Sequence, residues 1–90
     1  MIRDLRAPID ATWIGEWDGH ARGFNAGDWA VTHAAHDGHG DIHITVHGVQ
    51  YGDGRTVRKI VVDCPGEITP DEARKLSVAL TAAAEAAERA

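Results

Sequence analysis

The stretch Ile42-His43-Ile44-Thr45-Val46-His47-Gly48-Val49-Gln50-Tyr51-Gly52-Asp53-Gly54-Arg55-Thr56-Val57-Arg58-Lys59-Ile60-Val61-Val62-Asp63-Cys64 decides the fold. Its first part alternates Ile42, Ile44 and Val46 with His43, Thr45 and His47, and its last part alternates Ile60, Val62 and Cys64 with Val61 and Asp63. A period of two is the mark of a half-buried strand. If Gly52-Asp53-Gly54 is the loop of a hairpin, Tyr51 faces Arg55. Counting back then pairs Val49 with Val57, Val46 with Ile60, Ile44 with Val62 and Ile42 with Cys64. The aliphatic residues meet down the ladder, as cross-strand packing requires. A three-residue loop also needs a left-handed residue in its last place, and Gly54 supplies one. Two independent constraints therefore select the same register.

The segment after this hairpin encodes a helix. Thr69-Pro70-Asp71-Glu72 is a capping box with proline at the first helical position and two acids at the positive end of the helix dipole. Ala73, Leu76, Leu80, Ala83, Ala84 and Ala87 then recur at helical spacing, and no Gly or Pro interrupts through Glu88. Leu76 and Leu80 are its expected anchors against Ile42, Ile44, Val46, Ile60 and Val62.

Upstream, Trp29 to His33 reads as a strand returned by a loop at His36-Asp37-Gly38-His39, with Val31 facing Ile44 and Trp29 facing Val46. Thr12 to Trp17 reads as a first strand with Trp13 and Trp17 on one face, and Asp18 to Gly27 as an irregular Gly-rich link. The expected fold is α+β: an antiparallel β-meander of three to four strands over 11–64, with one C-terminal helix over 69–88 packed on one face. Residues 1–10 carry no pattern and read as a frayed N-terminus. At 90 residues the chain has room for a single domain.

Composition bounds the function. The hydrophobic fraction of 43% is ordinary for a folded domain but leans on alanine, so a homodimer that shares core surface would relieve a small core. A net charge of −5, with the nine Lys and Arg scattered, argues against nucleic acid as a partner. One cysteine, Cys64, excludes an internal disulfide and a multi-thiolate zinc site. No apolar run suits a membrane span or a signal peptide, and the expected location is the cytoplasm.

Histidine is enriched: five of the six lie between His33 and His47. His43 and His47 share a strand face but stand roughly 13 Å apart, too far to bind one metal ion. His33 is expected on the apolar side, which leaves His36 and His39 in the turn as the alternative metal pair. His43 opposite Asp63 could form a pH-sensitive surface pair. Cys64, opposite Ile42, reads as a small buried apolar group. Trp13 and Trp29 read as core, whereas Trp17, between Glu16 and Asp18, reads equally as core or as an exposed interface anchor. The glycines form no phosphate-binding loop.

The run Ile44 to Gln50, the Asp53-Gly54 turn, the strand Ile60 to Asp63 and the helix start Ile68-Thr69-Pro70-Asp71-Glu72-Ala73-Arg74-Lys75-Leu76 resemble short uncharacterised proteins of actinobacteria and their phages. The resemblance covers roughly residues 42–88. It implies the hairpin-plus-helix fold and a phage or prophage origin, and it implies no activity.

The leading expectation is a non-enzymatic, cofactor-free protein-binding module that uses Trp17, His43, Thr45, His47 and Lys59. The alternatives are a metal- or pH-responsive His-rich protein and a nucleic-acid-associated regulator using Arg55, Arg58 and Lys59.

Overall fold

A computed structural model describes residues 5–33, 40–64 and 66–89. Four strands, β1 (Trp13–Ile14), β2 (Ala21–Val31), β3 (Ile42–Tyr51) and β4 (Thr56–Asp63), form one antiparallel sheet in the order β1-β2-β3-β4. A single helix, α1 (Pro70–Glu88), packs against one face. The architecture is the α+β meander that the alternation implied.

The β3–β4 register matches the sequence argument. Val49 pairs with Val57, Val46 with Ile60, and Ile44 with Val62. The Tyr51 amide donates to the Arg55 carbonyl at 2.8 Å, and Gly54 has φ 93°. The face orientation follows. Ile42, Ile44 and Val46 are fully buried, while His43 and Lys59 stand exposed on the other face.

The start of α1 is also as expected. Thr69 Oγ1 accepts from the Glu72 amide at 3.1 Å, and Glu72 Oε1 accepts from the Thr69 amide at 2.8 Å. A cap of this kind contributes about 1 kcal/mol. Glu72 does more than the capping box requires. Its other carboxylate oxygen, Oε2, lies 2.9 Å from His33 Nδ1, so the first helical turn is fastened to the end of β2. The buried stripe is Glu72, Ala79, Ala83 and Ala86, flanked by Leu76, Leu80 and Ala87, and Ala73 is exposed.

Several expectations need correction. The stretch Asp18–Gly27 is not an irregular link, because β2 begins at Ala21. A one-residue bulge between Asn25 and Asp28, with Gly27 at φ 145°, breaks the period of two and hides the strand. Gly19, at φ 63°, makes the tight turn that returns the chain, bridging Asp18 and Ala21. The first strand is two residues rather than six, and Trp13 is 54% exposed rather than core. Trp29 faces Ile44 and Val31 faces Ile42, a shift of two residues from the expected pairing. The connecting loop at His36–His39 lies outside the described residues. Val62 is 45% exposed and Cys64 is exposed, because α1 lies chiefly over β2 and β3 and the end of β4 runs out from under it.

The helix covers only part of the inner face, and the rest is covered by residues of the N-terminal segment. Phe24 lies fully buried across Gly48, and a methyl group on Gly48 would stand 2.6 Å from Phe24 Cε1. Around that ring the layer turns polar. Arg22 donates to Gln50 Oε1 and to the Leu5 carbonyl at 2.8 and 2.9 Å, and Gln50 donates to the Arg6 carbonyl at 2.8 Å. The residues from Leu5 to Asp10 are thus tied down, since these buried polar groups need partners.

Two stability outcomes follow, both read by urea unfolding. Ile44→Ala is expected to cost about 2–5 kcal/mol, against under about 1 kcal/mol for Val62→Ala at the uncovered corner. Gly48→Ala is expected to cost about 1–3 kcal/mol by overpacking against Phe24. Equal costs at Ile44 and Val62, or a neutral Gly48→Ala, would contradict this packing.

Candidate functional site: the open face of the sheet

The face turned away from α1 is built by the odd positions of β3. Its rows are fixed by the pairing: Ala30–His43–Asp63, Asp28–Thr45–Val61, Trp13–Asn25–His47–Lys59 and Gly23–Val49–Val57. Directly opposed residues share a face, so the third row crosses all four strands on one side. At about 4.8 Å per strand it spans roughly 14 Å.

Two side chains in these rows are oriented by hydrogen bonds. His47 Nδ1 lies 2.9 Å from Asn25 Oδ1. With the carboxamide oxygen accepting, Nδ1 carries the proton, and Nε2 is the ring nitrogen left for other contacts. The ring sits over Gly23, where a Cβ would come within 3.4 Å of His47 Cε1. Thr45 Oγ1 donates to Asp28 Oδ1 at 3.2 Å. Around these lie exposed apolar groups, Trp13 at 54%, Val57 at 43% and Val61 at 51%, with the exposed Lys59 between the two valines.

His43, Thr45, His47 and Lys59 therefore come together on this face, and His43 pairs with Asp63 as the register required. Trp17 does not join them. Its ring is half-buried beneath the Arg22 guanidinium, 4.5 Å from the ring centroid, and Arg22 belongs to the covered side with Gln50. The exposed tryptophan is Trp13, expected in the core, which stands opposite Asn25 on the open face.

The basic trio is dispersed. Arg58 lies on the covered side, where it is paired with Asp10 through Nη1 at 2.6 Å and Nη2 at 3.0 Å and set 5.2 Å over the Phe24 ring. Arg55 stacks on Tyr51 at 4.4 Å, and only Lys59 faces outward on the open face. Among the described residues, no three His, Cys, Asp or Glu side chains gather as a metal site. His36 and His39 lie outside those residues. Among the described residues, no helix is long and apolar enough to cross a membrane.

The Asp10–Arg58 pair couples the fold to pH. Hydrogen bonds from Arg58 hold the Asp10 carboxyl below the usual aspartate value, against a smaller opposing push from burial. A depressed folded-state pKa gives stability that is present above the unfolded value. That stability is lost as pH falls through the folded value. Urea midpoints should therefore drop for the native chain between neutral pH and about pH 3, and drop less for Asp10→Asn. An equal drop in both would contradict the assignment.

Comparison with protein-family models, curated proteins and solved structures finds no match to this chain.

Proposed function

We propose that the chain is a non-enzymatic protein-binding module, of phage or prophage origin, that takes its partner on the open face of the sheet. The observation that carries this reading is the grouping of exposed apolar side chains, Trp13, Val57 and Val61, around Lys59 and the hydrogen-bonded His47 on a face the helix leaves uncovered. Exposed aromatic anchors with a polar surround are the usual make-up of binding hot spots, and grouped exposed apolar side chains mark interaction surfaces. The partner fitted to this row is a protein surface with an apolar pocket for the indole and a carboxylate for Lys59.

A pH-responsive reading has a narrower basis. His43 faces Asp63, and His47 keeps Nε2 for contacts on the same face. An imidazolium at either position would add positive charge to this face and favour an acidic partner. This is a modulation of the same face rather than a separate activity.

The test pairs identification with affinity. The immobilised full chain recovers a protein from host lysate, and calorimetry on the purified pair then compares variants. Trp13→Ala and Lys59→Glu should each weaken binding at least about tenfold, while the exposed helix variant Thr81→Ala should not. Unchanged affinity in both face variants would place the partner elsewhere.

A further inference from the structure

The outer edge of β2 is paired with β1 only at Phe24 and Asn25, and beyond Gly27 no described strand lies against it. The direction of its peptide groups can be worked out. The Tyr51 amide donates to Arg55, so the odd positions of β3 turn toward β4 and the even ones toward β2. Trp29 and Val31 oppose Ile44 and Ile42. Asp28 and Ala30, with Thr32 next in the alternation, therefore point their N–H and C=O groups away from the sheet. Beside this edge lies an open groove of about 610 Å³, lined by Trp29 and Val31 below and by Lys75, Val78 and Ala82 of α1. Val78 is 71% exposed.

The two edges of the sheet differ. β4 carries Lys59 and Asp63 exposed along its length, the kind of charge that discourages edge pairing, whereas Trp29-Ala30-Val31-Thr32 has no charge and no proline. We infer that this edge of β2 is occupied by a second copy of the chain, paired antiparallel about a two-fold axis through Ala30. Ala30 then opposes its own copy, and Asp28 opposes Thr32 of the second copy. The axis stands perpendicular to the sheet, so both helices lie on one side and both open faces on the other. The inference is independent of the partner-binding reading.

The charge pattern on α1 favours a second copy over an unrelated extended peptide. Asp71, Lys75, Val78, Ala82, Glu85 and Arg89 follow at spacings of four and three, and so share the side of the helix toward the edge. In order they read acid, base, apolar, small, acid, base. An antiparallel copy meets this stripe with its complement: Lys75 toward Glu85 of the second copy, Asp71 toward its Arg89, and Val78 beside its Ala82. Spacing agrees as well. The axis lies half a strand spacing beyond β2. A helix riding over β2 and β3 stands about 5 Å from it, which sets the two helices roughly 10 Å apart, within helix-packing range.

Sedimentation equilibrium of the full chain tests this. The native chain should show twice its 9.7 kDa mass at high concentration. Val78→Asp, at an exposed helical site the monomer fold does not need, should return it to monomer with an unchanged circular dichroism spectrum. Ala30→Pro, which removes an outward amide, should do the same. Lys75→Glu should weaken association about fivefold to tenfold, and the swap Lys75→Glu with Glu85→Lys should restore it to within about twofold. A native chain that remains 9.7 kDa throughout would overturn the inference. So would a dimer indifferent to Val78→Asp, or a swap as weak as the single reversal.

Discussion

Everything in this fold depends on the burial of one row of side chains, Ile42, Ile44 and Val46 of β3, beneath the alanine-rich stripe of α1. These three are wholly removed from solvent, and the residues that alternate with them are pushed to the other side of the sheet. A slip of one residue would exchange the two sets, placing His43, Thr45 and His47 in the core. The hairpin turn and the pairing of β4 hold the register against that slip. The available surface is therefore a direct consequence of what is buried.

A small-residue stripe lets the helix approach the sheet closely, but Ala79, Ala83 and Ala86 bring little apolar area of their own. The fold compensates with polar fastenings at both ends of the inner face. At one end, Glu72 joins its own capping box to His33, and the His33 amide donates to Asp41 Oδ1 at 3.3 Å across the start of β3. At the other end, Arg22, Gln50 and Arg58 bind backbone carbonyls and a carboxylate of the segment before β1. These hydrogen bonds are directional, so both ends fix the geometry as well as adding stability.

The sequence was most legible where two local rules agreed. Strand alternation and the glycine-bearing turn fixed β3 and β4, and the capping box fixed the start of α1. Legibility failed where long-range contacts decided. The bulge at Gly27 disrupted the alternation that would have marked β2, and β1 ends at Ile14, so Trp13 and Trp17 do not share the face that a six-residue strand would have given them. Arg58 read as a surface cation because its partner, Asp10, stands 48 positions away. His43, Thr45, His47 and Lys59 were placed together correctly because all four follow from the hairpin register. Trp13 was missed because a two-residue strand carries too little pattern to show which side faces the core.

The most direct test of the central packing is a methyl-resolved nuclear Overhauser spectrum of the chain in solution. Cross-peaks from the Ile44 and Val46 methyls to Ala79 and Ala83, with none from the His43 or His47 ring protons to α1, would agree with the orientation described. Contacts from those imidazole protons to Ala83, with Ile44 showing only water exchange cross-relaxation, would contradict it.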